Sequence, residues 1–176
     1  GLIDGYDRTV NGSDVPYITY GVNLSASYKN FDLAVMGQGV SDVDVYLTGE
    51  ASQAFFNGAG VKEYHLNRWT TANPDPNAAY PRLLQSADNA QNMKASSFYL
   101  YDADYFRIKA VTLGYTFPKS IVEPLRISNL RLYVSSNNLF TIRADKRLKD
   151  FDPEMASTRA SYPQMKTFSF GVNLTL

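Results

Sequence analysis

The stretch that most constrains this chain is its last, Thr167 to Leu176, which reads Thr-Phe-Ser-Phe-Gly-Val-Asn-Leu-Thr-Leu. Phe168, Phe170, Val172, Leu174 and Leu176 take the even positions, and Thr167, Ser169, Gly171, Asn173 and Thr175 the odd ones. A strand points successive side chains to opposite faces, so one face is wholly apolar and the other small or polar. The wet face of a soluble sheet often carries Lys or Glu. Small hydroxyls, an amide and a glycine suit instead the inner wall of a wide, water-filled barrel whose outside meets lipid.

Composition is compatible with that reading and removes others. A chain of 176 residues is long enough for one domain with a sizeable core. Lys+Arg and Asp+Glu balance at 17 each, so no net field draws the chain to nucleic acid or to an acidic substrate. Cysteine is absent, which removes disulfide frameworks and cysteine-based zinc sites. No apolar run approaches the roughly 18 residues of a spanning helix, a test with little force against barrels, whose alternating strands average to mild hydropathy. The chain begins Gly-Leu-Ile-Asp, without an initiator Met or a signal peptide, as expected of a processed chain or a piece of a longer one.

Taken in order, Gly1 to Pro16 is a turn-rich loop punctuated by Asp4-Gly5 and Asn11-Gly12. Alternation then predicts a strand near 17–28, with Tyr20, Val22, Leu24, Ala26 and Tyr28 on one face. Lys29-Asn30 is a two-residue turn, and a second strand follows near 31–39 with Phe31, Leu33 and Val35 on its apolar face. A two-residue hairpin sets residue 28 opposite 31, 26 opposite 33 and 24 opposite 35, and these apolar positions do share a face. Tyr20 to Tyr28 is as long as the roughly 9–11 residues a tilted strand needs to cross hydrocarbon, with an aromatic at each end.

From about 40 to 97 the alternation fades into a region rich in Gly, Asn, Ala and Pro, read as a long loop in which a short strand could still hide. A strand is predicted near 98–117, where Val111, Leu113, Tyr115 and Phe117 alternate with Ala110, Thr112, Gly114 and Thr116. Arg107 and Lys109 share the parity of Val111. Either a bulge shifts the phase there, or the strand projects above the membrane and its cations face water or headgroups; the second is the preferred reading. After Pro118 comes a connector in which Ile121, Val122 and Leu125 suit one helical turn. Strands are predicted near 129–140 and 166–176, separated by a charged loop from Arg143 to Pro163. Connections thus run short, long, short-to-medium, long, the pattern of an outer-membrane barrel, and no position assigned to lipid in these strands is charged.

Tyr20-Gly21-Val22-Asn23-Leu24-Ser25 echoes Phe170-Gly171-Val172-Asn173-Leu174-Thr175, as strands running the same way in one wall would. Five strands cannot close a barrel around water, and open edges in lipid are not viable, so other strands must complete the wall.

Several motifs resemble one family. Tyr105-Phe106-Arg107-Ile108-Lys109-Ala110-Val111-Thr112-Leu113-Gly114-Tyr115-Thr116-Phe117-Pro118 is similar to its TLGYT segment, and Leu130-Arg131-Leu132-Tyr133-Val134-Ser135 with Asn138-Leu139-Phe140-Thr141 to its LRxYVS…NLFT strand. Asp152-Pro153-Glu154, Tyr162-Pro163, Arg68-Trp69-Thr70 and Tyr80-Pro81-Arg82-Leu83 also match in order. The chain resembles the C-terminal end of SusC/RagA-type TonB-dependent outer-membrane transporters of Bacteroidota. That resemblance implies an all-β fold, the last antiparallel transmembrane strands of a barrel of about 22 with long extracellular loops and no plug domain in this sequence. It implies the outer membrane of a Gram-negative bacterium, with the C-terminus periplasmic. Implied partners are a SusD-like surface lipoprotein, TonB acting through the N-terminal part, the barrel-assembly machinery, membrane lipid, and an oligosaccharide or peptide cargo. It also implies that Gly171, Leu174 and Leu176 form the terminal assembly signal, although Leu176 replaces the usual aromatic.

Candidate sites are few, and no catalytic residue, metal site or cofactor is expected. His65 is the only histidine and has no nucleophile signature beside it. Asp150, Asp152 and Glu154 are spaced like calcium ligands but lack the EF-hand glycine, so a solvated charged loop is preferred. Asp102 and Asp104 are a candidate acid pair, although alternate carboxylates on one strand face more often bind water or a neighbouring Lys. Asp32 and Arg131 are expected to face the lumen, lining a polar path or pairing with strands not seen in this sequence. Arg68, Trp69, Tyr80, Arg82, Tyr99 and Tyr101 are candidates for cargo or lid contact, with loop packing as the plain alternative. Two other function classes stand beside the importer: a passive porin-type barrel, and a soluble β-sandwich that binds carbohydrate through these tyrosines.

Overall fold

The computed structural model describes residues 5–84, 92–154 and 164–176. Asp4 and the Tyr162-Pro163 pair lie outside the described residues. Seven strands form: β1 (Ile18–Tyr28), β2 (Phe31–Ser41), β3 (Asp44–Tyr46), β4 (Leu100–Asp102), β5 (Tyr105–Thr116), β6 (Asn129–Arg143) and β7 (Thr167–Thr175). A short helix, α1 (Lys119–Val122), sits between β5 and β6. Among the described residues no helix is long and apolar enough to cross a membrane.

Five strands make one antiparallel sheet in the order β1-β2-β5-β6-β7, while β3 and β4 pair separately. The first hairpin has the expected register, Tyr28 with Phe31, Ala26 with Leu33 and Leu24 with Val35. Uniform alternation on both arms leaves no other register that keeps the apolar residues together. The short-strand question raised by the long loop is answered by β3. The strand expected over 98–117 is two elements, since β4 leaves the wall to pair with β3 and β5 begins only at Tyr105.

Rows of side chains cross the whole sheet. On one face Ala26, Leu33, Leu113, Val134 and Phe170 lie in register, and beside them run Tyr28, Phe31, Tyr115, Leu132 and Val172. Among the described residues no second layer covers this face: Leu33, Leu113, Leu132 and Val134, all on interior strands, remain 40–44% exposed. Phe168, Phe170 and Val172 on β7 are more exposed still. A sandwich would bury these residues under a second sheet about 10 Å away. The described residues supply no such second sheet, and an exposed apolar face of this kind is that of an antiparallel transmembrane barrel segment.

Aromatic residues mark both ends of that face. Phe31 and Tyr115 pack at 4.7 Å and Tyr115 and Phe117 at 5.1 Å at the short-turn end. At the loop end Tyr20 and Phe106 stack nearly parallel at 6.1 Å. Their rings lie over β2, where a Cβ on Gly37 would strike Phe106 and one on Gly39 would strike Tyr20. At about 3.4 Å per residue, Tyr20 to Tyr28 spans about 27 Å along the strand, or about 20 Å along the normal once tilted, close to the apolar band of an outer-membrane barrel.

The opposite face carries Ser27, Asp32, Gly114, Tyr133 and Gly171 in one row. Its glycines make room for long neighbours. Any Cβ on Gly114 would meet Asp32 and Arg131, and one on Gly171 would meet the Tyr133 ring.

A charge should therefore distinguish the faces. Leu113→Arg in the full-length protein should cost about 2–4 kcal/mol at mid-bilayer and sharply reduce membrane-inserted, heat-modifiable barrel. Thr112→Arg, one residue away on the other face, should insert at close to the wild-type yield. Equal yields would refute the assignment.

Candidate functional site

The buried core of this chain lies in its loops. Val45 and Leu47 pack with Tyr101, Ala103 and Leu148, flanked by Val43 and Phe151. Ala54, Tyr80 and Tyr99 form a second cluster with Tyr64 and Leu83. Leu148 comes from the loop after β6, so the last loop is pinned against the β3–β4 ribbon. What looked like a structureless stretch is a series of short 3-10 turns folded on these clusters.

Three of the aromatic candidates serve this packing. Tyr80 and Tyr99 are each 1% exposed, and Tyr101 is also buried. Tyr80 Oη accepts from the Ala54 N–H at 3.1 Å, and Tyr99 Oη donates to the Asn92 carbonyl. Arg147 lies over the Tyr101 ring at 4.4 Å. These residues cannot offer their faces to cargo or lid; the loop-packing alternative accounts for them. Arg82 is exposed and Arg68 and Trp69 are half-buried, so only these three retain accessible surface.

His65 is structural too. Its Nδ1 accepts from the Lys62 N–H at 2.8 Å, so Nε2 carries the proton and donates to the Ser52 carbonyl at 3.1 Å. The ring packs edge-on against Tyr80 at 4.4 Å. Burial pushes its pKa below the usual value, against the pull of the hydrogen bond to Ser52. Asp102 and Asp104 are likewise occupied: Asp102 Oδ1 accepts from the Asp104 N–H and Asp104 Oδ1 from the Val43 N–H.

The conspicuous polar site was half-hidden in the sequence. Met36 pairs with Ala110 but Gly37 with Ile108, leaving Lys109 as an extra residue in β5. On the other side, Asn138 takes a left-handed φ of 51° where the β5–β6 register shifts. The bulge turns Phe106 and Ile108 onto the apolar face and sends Arg107 and Lys109 to the other. This overturns the preferred reading of those cations as facing water or headgroups, because Arg107 is 1% exposed. Its Nε donates to Thr141 Oγ1 at 2.8 Å and its Nη2 to Asp152 Oδ1 at 2.7 Å. Nη1 lies 3.2 Å from Glu154, which also takes Lys109 Nζ at 2.6 Å.

Asp152 and Glu154 are therefore neutralised by protein cations rather than held ready for calcium, and the described residues contain no cluster suited to a metal. Burial alone would raise the Asp152 carboxyl. The Arg107 guanidinium and the N–H groups of Glu154 and Gln164 outweigh it and hold that carboxyl below the usual range. The result is a latch that fastens the last loop to the inner side of the wall. Asp32 and Arg131 also meet, through a bidentate pair at 2.9 and 2.5 Å across Gly114. Arg131 additionally lies 5.2 Å from the Tyr133 ring centre.

A one-layered antiparallel wall with aromatic girdles, short turns at one end and packed loops at the other defines a segment of an outer-membrane-type β-barrel. No family profile matches the chain. Over 99% of its length the chain is similar to TonB-dependent receptors P3 and P26 of Formosa agariphila, at 26% and 29% identity. It is 23% identical over the same share to TonB-dependent receptor SusC of Bacteroides thetaiotaomicron. Among solved structures it is similar to the RagAB peptide importer in its open-open and closed-closed states. The TM-scores are 0.70 and 0.71, at 26% identity over 95% and 94% of this chain. The chain spans only 16–18% of the length of these relatives. Over nearly all its length the chain is thus similar to a segment of TonB-dependent receptors and of the RagAB importer.

The latch and the His65 loop should loosen in separate pH windows. A depressed folded pKa contributes stability above the unfolded value and loses it as pH falls. Amide exchange over residues 49–67 should rise as pH drops below about 6.5, whereas residues 144–154 should stay protected until below about 4. Arg107→Ala should remove protection of 144–154 at every pH, since breaking a buried pair costs about 3–5 kcal/mol.

Proposed function

We propose that this chain is the C-terminal wall of an outer-membrane, TonB-dependent importer that takes up peptides or glycan fragments with a SusD-like surface lipoprotein. The observation that carries this reading is the single-layered wall with an apolar outer face, similar over nearly all its length to the RagAB peptide importer. In this reading the short turns and the C-terminus are periplasmic and the packed loops extracellular. Gly171, Leu174 and Leu176 present the assembly signal, and Asp32 and Arg131 line the lumen. Arg68, Trp69 and Arg82 are the loop residues placed to touch lid or cargo. Energy coupling belongs to a plug and TonB-binding segment elsewhere in the polypeptide, and the protein is a transporter without catalytic residues.

Loops folded on their own buried core suit a lid partner, because a pre-ordered rim loses little entropy when the lid seats. The full-length protein should fractionate with the outer membrane, co-purify with a lipoprotein in detergent, and lose uptake when TonB is disrupted. Trp69→Ala should weaken lid or cargo binding about tenfold, as loss of an interfacial aromatic commonly does. TonB-independent uptake would favour a passive porin, and a protein monodisperse without detergent would remove the membrane reading altogether. Competition between peptide and oligosaccharide in the uptake assay identifies the cargo class.

A further inference from the structure

The connector between β5 and β6 carries an exposed surface that is both apolar and cationic. Pro118 starts α1, a 3-10 turn over Glu123–Leu125 follows, and Arg126 closes it with a left-handed φ of 58°. Val122 is buried against the end of the wall, and its carbonyl accepts from the Ile127 N–H at 3.2 Å. Ile121 and Leu125, four residues apart in this helical turn, are 54% and 65% exposed. Missing neighbours in the wall do not explain that exposure, because β2 and β7, the strands flanking β5 and β6, are both present.

Charge and position supply the occupant. The Lys119 and Arg126 side chains are exposed and have no ion-pair or hydrogen-bond partner among the described residues. Lys29, in the adjoining short turn, has its Nζ 5.3 Å from the Tyr28 ring centre. Glu123 is the single acid in the connector, so the short-turn end is cationic. The connector leaves the wall directly after Tyr115 and Phe117, the aromatic girdle of the lipid-facing surface. Apolar residues beside unpaired cations, at the level where a girdle meets headgroups, match an interface of acyl chains under anionic phosphates.

We propose that residues 117–128 form a phospholipid-binding foot, with Ile121 and Leu125 entering the acyl layer and Lys119 and Arg126 holding the phosphate of an anionic headgroup. The inference rests on the outer-membrane reading above. In the full-length protein, Ile121→p-benzoylphenylalanine should, on irradiation in cells, give an adduct with phospholipid. An adduct with the protein's own plug or with another periplasmic protein would overturn the foot while leaving the barrel intact. A variant absent from the outer-membrane fraction, together with wild type absent from it, would instead sink the underlying reading. In native mass spectrometry from detergent, wild type should retain phosphatidylglycerol in preference to phosphatidylcholine. The Lys119→Ala/Arg126→Ala double variant should bind phosphatidylglycerol about 30-fold more weakly, at about fivefold per cation near an anionic surface. Folded barrel with unchanged phosphatidylglycerol retention would refute the assignment of the cations.

Discussion

A sheet with no second layer has to satisfy its backbone entirely within its own plane. Every ladder bond in this wall runs strand to strand, so side chains on the two faces are free to meet different solvents. Rows on one face are apolar across β1, β2, β5, β6 and β7 apart from Ser136, while the other face carries hydroxyls, amides, glycines, a few larger residues such as Met36 and Tyr133, and the ion pairs of Arg131, Arg107 and Lys109. The same constraint leaves the outer edges of β1 and β7 requiring partners, since unpaired N–H and C=O groups in hydrocarbon cost several kcal/mol each.

Flatness also creates a crowding problem that glycine solves at specific points. Arg131 reaches Asp32 only because Gly114, between them, has no Cβ, so the glycine in the TLGYT stretch serves an ion pair made by its neighbours. Gly37 and Gly39 do the equivalent on the lipid side, where rings from β1 and β5 meet across β2. In neither place is the glycine's own backbone unusual. What matters is the space it leaves.

The wall was legible in the sequence because its period is two and its environment uniform. Tyr20 to Tyr28 and Phe168 to Leu176 each need one rule, and that rule also fixes the register of the first hairpin. Legibility failed at Lys109, where one inserted residue reverses which parity faces lipid. The clue was present, since Arg107 shared a parity with Val111, but a projecting strand explained it equally well. The rim could not be read at all. Val45, Leu47, Ala54, Tyr80, Tyr99 and Leu148 meet through 3-10 turns and long-range packing, which imprint no period. Aromatics whose chemistry suits sugar stacking were therefore indistinguishable from aromatics that fill a core, and three of the six loop candidates proved to be the latter.

Placing the core in the loops divides the labour of the molecule. A wall bathed in lipid on one side and water on the other gains little from side-chain burial, whereas the rim gains rigidity from a small core of its own. The bulge at Lys109 joins the two regions. It directs Arg107 and Lys109 onto Asp152 and Glu154, so a loop distant in sequence is fastened to the strand that the wall holds in place. Arginine suits this post, because its planar fork engages Thr141 and both carboxylates at once. His65, buried and neutral, takes the complementary part in the other loop. Each loop is thereby tied to fixed partners, the Lys62 N–H and Ser52 carbonyl for His65 and the Asp152 carboxylate for Arg107.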